Sequence, residues 1–401
     1  MKQKIIMTLN YTHPEQASCN ILVHLLIIAF LIPIPVLGDD VKQNTYPDQV
    51  YPEYATGFSV DYHEGYKVVT VKKPWRGSNE SFTYVLVKKG MKPPQLGIGE
   101  EIITIPSEKF VSLSSTHFPY LPILGITSSL KGVINKNTVY TPEVISLIQD
   151  GKVIDVSGGG SGMTAGINLE VLIDLNPDLV MTYATGLPEY DAHPKLQEAG
   201  IPVVLNSEYM EENPLGRAEW IKFMSVFFDR EREANAYFEK IKMEYLSHVD
   251  SVNSLNVTRP TVFLNNNWQG TWHMAGGNSY VAKLLKDAGA DYLWSDDTTT
   301  GSIPLDFEFV YEKAQHADYW LNPGTAMTLK DLLGEDARYS EFDAFKSKKI
   351  YNNNARVNAE GGNDYWESGV AHPETILKDL IKIFHPEIVS EHNFVYYRHM
   401  E

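Results

Sequence analysis

The side chains most often used in catalysis are scattered through this chain. Twelve histidines occur singly, with no His-x-His or His-x-x-x-His pair that would supply two zinc ligands from one element. Neither a Gly-x-Ser-x-Gly nor a His-Glu-x-x-His motif is present. The glycine-rich stretch Gly158–Gly162 lacks the Gly-Lys-Ser/Thr ending of a phosphate-binding loop, so we interpret it as a loop that lets a bulky ligand approach the backbone. These patterns favour a binding protein over an enzyme, although paired glycosidase-type carboxylates would leave no local motif.

The composition is that of an ordinary globular chain with an excess of acidic residues. The 401 residues are 43% hydrophobic and 21% charged, and a chain of this length can form more than one domain core. A formal charge of −17 argues against a nucleic-acid partner, because phosphate binding needs a basic face. The single cysteine, Cys19, precedes the apolar segment described next, which leaves the rest of the chain without a thiol for catalysis or metal binding.

The N-terminus carries an export signal. A mostly apolar run, Ile21–Leu37, is followed by Gly38 and two aspartates, which predicts a signal peptide over residues 1–38 with cleavage after Gly38. The long lead before this run leaves open a misplaced start codon or an uncleaved anchor. Cys19 lies on the wrong side of the run for lipoprotein attachment. We therefore expect a periplasmic or otherwise extracytoplasmic protein.

The remaining pattern predicts an α/β fold of two lobes joined by a long helix. We divide it into a β-rich extension (residues 39–103), an N-lobe (104–212), an inter-lobe helix (213–255) and a C-lobe (256–401). Apolar residues spaced by three or four over Gly216–Ser254 predict one helix of about 55 Å. The alternative is two helices with a bend near residues 229–231.

Several short motifs, in this order, carry a family resemblance. They are the turn Asn176–Val180, the long helix, Gly276–Tyr280 with Ala288–Ala290, and the final helix Pro373–Leu380. Over about Glu108 to Glu387, the chain resembles the helical-backbone class of periplasmic substrate-binding proteins of ABC importers. The resemblance implies a monomer that captures a ferric siderophore, haem or cobalamin in a cleft between its lobes. It also implies delivery to ABC permease subunits, contact with the membrane only through the permease or an uncleaved anchor, and no resident cofactor.

The same resemblance places the ligand-binding residues on loops that face the cleft. Aromatic rings would cover the flat apolar faces of a chelate or corrinoid, and a guanidinium would bind its oxygens. Packing in the core is the alternative for either Trp268 or Trp272, and a structural ion pair is the alternative for Arg356. The candidates are Ser115, Thr116, His117, Gly159 and Tyr183 from the first lobe, and Trp268, Trp272, Arg356, Tyr365 and Trp366 from the second.

Two further expectations concern partners of the cleft. By the resemblance, Glu189 and Glu308 would each pair with arginines of the permease, although an exposed glutamate is by default solvated surface. The alternative ligand is free zinc or manganese, for which His117, His193, His273, Glu308 and Asp364 are the candidate ligands.

Overall fold

The computed structural model describes residues 45–95, 97, 99–159, 166–254 and 258–401. The predicted signal peptide and Cys19 lie outside these residues. Among the residues described, no helix has the length and apolar character needed to cross a bilayer.

The β-rich extension is a four-stranded sheet in the order β1-β2-β3-β4. The first three strands are antiparallel neighbours, and β3 and β4 run parallel. The bounds are β1 Phe58–Tyr62, β2 Tyr66–Lys72, β3 Ser81–Lys88 and β4 Glu100–Ile105. Alternate residues of β2 are buried, the period expected of a strand with one face on a core.

Two buried carboxylates, one in the N-lobe and one in the segment between the lobes, hold the chain just before β1. Glu219 accepts hydrogen bonds from the backbone N–H groups of Glu53, Tyr54 and Ala55, and Glu211 accepts those of Thr56 and Gly57. These contacts join residues more than 150 positions apart and hold the extension against both the N-lobe and the segment between the lobes.

The N-lobe is a parallel five-stranded sheet in the order β7-β6-β5-β8-β9. Its strands are β5 Phe110–Ser112, β6 Leu130–Val133, β7 Ile154–Asp155, β8 Leu179–Thr182 and β9 Val203–Leu205. Its helices are α1 Tyr120–Leu124, α2 Pro142–Gln149, α3 Leu169–Leu175 and α4 His193–Glu198. Helix α3 ends at Asn176 in the left-handed conformation, ahead of the predicted turn into β8.

The segment between the lobes is not the single rod predicted for Gly216–Ser254. It consists of α5 Pro214–Ala218, α6 Trp220–Ser225 and α7 Glu231–Ser254. Asp229 has a φ of 53°, which ends the helical path where the alternative placed a bend, but the additional break at Glu219 between α5 and α6 was not predicted. The extension holds the break at Asp229, because the fully buried Lys67 donates hydrogen bonds to the Val226 carbonyl and to the carboxylates of Asp229 and Glu231. Helix α7, about 36 Å long, is the connecting helix.

The C-lobe is built on a five-stranded sheet in the order β13-β10-β15-β16-β17, with β17 antiparallel to its neighbour. The C-lobe also contains a separate antiparallel sheet of three strands in the order β11-β12-β14. The strands are β10 Thr261–Leu264, β11 Asn267–Trp268, β12 Thr271–Ala275, β13 Asp291–Tyr292, β14 Ser302–Leu305, β15 Tyr319–Leu321, β16 Ile350–Asn352 and β17 Arg398–His399. The helices are α8 Tyr280–Asp287, α9 Phe307–Ala314, α10 Leu329–Glu335, α11 Asp343–Lys346, α12 Ser368–Ala371 and α13 Pro373–Phe384.

Candidate functional site

Two adjoining cavities lie at the carboxyl end of the C-lobe sheet. The larger, about 700 Å³, is lined by residues that follow β10, β15 and β16 together with the β11–β12 hairpin. The smaller, about 390 Å³, shares Asn265, His273, Ala275, Tyr280 and Val281 with the larger one. It adds residues from the N-lobe and the extension, so the two cavities form one cleft between the lobes. Open parallel sheets place their ligands at this edge.

Exposed apolar side chains converge on the larger cavity. Trp268 is 63% exposed and Trp366 is 46% exposed, and Met327 and Val357 line the same space with about two fifths of their surface open. Large apolar groups left in water at one concave surface are typical of a binding site. Both tryptophans were predicted from the sequence; Met327 and Val357 were not.

The β11–β12 hairpin sets the position of Trp268. Its two-residue turn, Gln269 and Gly270, has φ angles of 51° and 88°. Positive φ at both positions matches the hairpin turns that suit the right-handed twist of paired strands. Trp268 pairs with Thr271 next to this turn, which holds the indole at the edge of the cavity.

Asparagines supply much of the polar lining. Asn265 and Asn322 follow β10 and β15 directly, and both have a left-handed backbone, which asparagine tolerates better than most residues. The lining asparagines are Asn265, Asn266, Asn322, Asn353, Asn354 and Asn363. These asparagines were not predicted as ligand-binding residues, although the asparagine runs directly after β10 and around the end of β16 were the available signal.

The prediction that Trp272 lines the cleft is wrong. Its indole is fully buried, its Nε1 donates to the Leu264 carbonyl at 2.8 Å, and its ring lies among Trp320, Tyr339 and Phe342. Core packing, the alternative for this residue, is what the structure shows.

Tyr365 is also buried rather than open to the cleft. It is 2% exposed, and its ring meets that of Trp366 edge-on with centroids 4.7 Å apart. Its phenol bonds to Tyr280 and Tyr397, and burial raises its pKa well above the ordinary value. Tyr365 therefore packs against the Trp366 ring from the protein interior.

The predicted residues of the first lobe do not line either cavity. Ser115 and Thr116 are half-buried in a short turn after β5, and Thr116 shares a hydrogen bond with Ser114. Gly159 is exposed with a φ of 104°, and Tyr183 is half-buried after β8. The segment 160–165 beside Gly159 is outside the described residues.

His117 is part of the N-lobe interior. It is 1% exposed, and its Nδ1 lies 2.8 Å from the Ser112 hydroxyl. Burial lowers its pKa to about 3, so the ring is neutral at physiological pH. This placement does not fit the predicted rim position.

Other residues of the first lobe, and one of the extension, do line the cleft. Thr185 and Tyr209 line the smaller cavity with Arg76, which comes from the β2–β3 loop of the extension. The Arg76 guanidinium packs on the backbone of Gly301 in the C-lobe, where an added Cβ would overlap it. The extension thus contributes to the cleft wall.

Arg356 forms the structural contacts that were its alternative. Its Nε lies 3.0 Å from Asp364, and its guanidinium lies over the ring of Tyr140, 5.1 Å from the centroid. Because Tyr140 belongs to the N-lobe, Arg356 links the two lobes.

Arg356 is one member of an inter-lobe seam, which we define as residues 137–141 of the N-lobe against residues 356–367 of the C-lobe. The Glu367 carboxylate accepts hydrogen bonds from the backbone N–H groups of Tyr140 and Thr141, at 3.0 and 2.6 Å, and from the Thr141 hydroxyl. Asn358 donates to the carbonyls of Asn137 and Val139. Burial raises the pKa of Glu367 to about 7 despite these donors. This seam was not predicted from the sequence.

The two predicted docking glutamates are exposed on different lobes. Glu189 lies in the loop after β8, and Glu308 lies in the first turn of α9 with an ion pair to Arg338 at 3.1 Å. The structure leaves their docking role a prediction.

The candidate metal ligands do not come together. His193 packs against Phe82 and His273 lines the cavities, while His117 is enclosed near Ser112. Within the described ranges, no three His, Cys, Asp or Glu side chains are close enough to hold a metal ion.

Residues 111–357 match the family described as "Periplasmic binding protein". The chain belongs to this family. An uncharacterized lipoprotein of Methanocaldococcus jannaschii is 30% identical over 303 residues, which are 73% of this binding protein and 69% of the relative. The family and its structural neighbours are solute-binding proteins.

Solved structures confirm the fold. A possible iron-binding, periplasmic solute-binding protein from Staphylococcus epidermidis matches with a TM-score of 0.53 and 17% identity, covering 69% of this chain and 98% of that one. A periplasmic haem-binding protein from Pseudomonas aeruginosa matches with a TM-score of 0.52 and 18% identity, covering 70% and 93%. The predicted class, two α/β lobes with a connecting helix, is therefore correct.

Proposed function

We propose that this binding protein captures a metal-bearing small molecule outside the cytoplasm and delivers it to an ABC permease. The ligand is an iron complex, haem or a corrinoid, held in the cleft between the lobes. The observation that carries the proposal is the convergence of Trp268, Trp366, Met327 and Val357 on one cavity of about 700 Å³. Flat apolar faces of a chelate or corrinoid complement such a surface.

The size of the aromatic contribution can be bounded. If a ligand covers roughly 100 Å² of each exposed indole, burial at about 25 cal/mol per Å² gives about 2.5 kcal/mol for each ring. Association and ordering costs reduce the net gain, so a loss of about 1.4 kcal/mol, or tenfold in affinity, is a safe lower expectation on removing both rings.

Delivery to a permease requires that the two lobes keep a defined position relative to each other. Helix α7 and the inter-lobe seam connect them at different places, which supports small opening movements rather than wide hinge motion. Glu189 and Glu308 are the proposed permease contacts. The relative named as a lipoprotein supports an extracytoplasmic location, reached through the predicted signal.

The first test is a ligand titration, monitored both by calorimetry and by tryptophan fluorescence. The purified protein is titrated with ferric siderophores, haem, cyanocobalamin, and free zinc or manganese. We expect saturable binding of a chelate or corrinoid, weakened at least about tenfold in the double variant Trp268→Ala, Trp366→Ala. Tyr51→Ala serves as control, since this exposed ring lies outside the cavity lining. Binding of free metal alone, or of nothing in the panel, would overturn the proposal.

A further inference from the structure

The larger cavity has an uncharged wall. Among its lining residues, drawn from the described part of the chain, there is no aspartate, glutamate, lysine or arginine. Its polar lining consists chiefly of asparagine amides, with His273 as the one imidazole. A charged ligand placed here would lose its hydration without gaining a partner of opposite sign.

The lining amides are partly engaged by hydrogen bonds within the protein. The Asn265 Nδ2 donates to the His273 carbonyl at 2.6 Å, and the Asn266 Nδ2 donates to Glu335 at 2.8 Å. In the same way, the Nδ2 atoms of Asn354 and Asn363 donate to the backbone carbonyls of Ala326 and Asn353. Four of the six lining amides therefore use one or both of their N–H donors within the protein, and the N–H groups that remain are neutral hydrogen-bond donors rather than cations.

Two guanidinium groups next to lining residues also have partners within the protein. Arg356 pairs with Asp364, and Arg398 donates to the Met327 carbonyl at 2.8 Å. In the smaller cavity, Arg76 is accompanied by Glu211 and Glu212, so this part of the cleft carries no excess of positive charge.

Resting on the proposed function, we infer that the ligand of this protein is electrically neutral, with flat or compact apolar surface and a perimeter of hydrogen-bonding rather than ionic groups. Neutral hydroxamate-type ferric complexes and neutral corrinoids belong to this class. Ferric catecholates and carboxylates, which carry net negative charge, do not. The cleft thus selects by the charge of the whole complex.

The test compares ligands of different charge on the purified protein. The panel is a neutral ferric trihydroxamate, an anionic ferric tricatecholate, neutral cyanocobalamin and anionic haem, each titrated at about 50 mM and about 500 mM NaCl. We expect a neutral member to bind at least about tenfold more tightly than either anion, with a Kd that changes less than about twofold with salt.

A charge insertion gives a second, independent readout. Val357 lines the cavity and is partly exposed, so Val357→Lys adds a cation at the wall without opening the core; Val357→Gln is the uncharged control. We expect the lysine variant to bind the neutral ligand no more tightly than the glutamine variant. Preferred binding of an anion, weakened by salt and strengthened by the lysine, would refute neutrality while leaving the proposed function intact. Failure of every chelate and corrinoid to bind would overturn both.

Discussion

Replacing Glu367 with glutamine should remove a pH dependence of folding stability that originates in the inter-lobe seam. The carboxylate is 2% exposed and accepts hydrogen bonds from Tyr140 and Thr141 of the opposite lobe. Burial raises its pKa from 4.5 to about 7, so the cost of burying the charge exceeds the gain from the hydrogen-bond donors of Tyr140 and Thr141. The nearby carboxylate of Asp364 raises the pKa further.

The sign follows from the folded pKa lying above the unfolded one. The folded protein holds this proton more tightly, so the stabilisation is complete below pH 4.5 and is lost as the pH rises through about 7. A difference of roughly 2.5 pKa units corresponds to about 3 kcal/mol at about 1.4 kcal/mol per unit. The glutamine side chain has nearly the same shape and does not titrate, so Glu367→Gln lacks this change.

Urea unfolding of both proteins between pH 4.5 and pH 8 measures the effect. The unfolding free energy of the wild type minus that of Glu367→Gln should fall by about 3 kcal/mol across this range. Glu189→Gln, which neutralises an exposed carboxylate, corrects for the loss of one negative charge. A difference that stays constant with pH, or rises with it, would refute the assignment of the raised pKa to Glu367.

Three further expectations follow from the same contacts. Trp272→Ala should lower the unfolding free energy by about 3–5 kcal/mol, because it opens a cavity in the core. The ligand affinity of the folded variant should stay within about twofold of the wild type. A tenfold loss of affinity in calorimetry would show that Trp272 contacts the ligand after all. His117 has a pKa of about 3 in the folded protein, below the ordinary 6.5, so its contribution to folding stability is present above pH 6.5 and is lost as the pH falls. Between pH 7 and pH 4, the unfolding free energy of the wild type should fall by about 3 kcal/mol more than that of His117→Gln. Equal changes in the two proteins, measured by urea denaturation, would contradict this. Substituting alanine for Glu189 and Glu308 together should leave ligand affinity unchanged and reduce uptake into cells, a role that normal uptake by the double variant would exclude.

Local patterns in the sequence were enough to predict the architecture and some of the residues that line the cleft. The alternation of β2, the turn after α3 and the strand ends of the C-lobe depend on residues a few positions apart, which is why they could be predicted. The same strand ends located Trp268 and the loop of Trp366. The seam around Glu367 escaped prediction because its partners lie more than 200 positions away in the chain.

The sequence by itself determined that two α/β lobes, acidic in overall composition, carry aromatic residues at their strand ends. Only the tertiary structure decided which of those aromatics reach a ligand. Trp268 and Trp272 stand four positions apart, yet the β11–β12 hairpin turns one toward the cavity and the other into the core. The long helix was divided in the same way, by Lys67 from a distant strand. In both cases packing against remote residues decided the outcome, since periodicity marks an apolar face but not the surface it will meet.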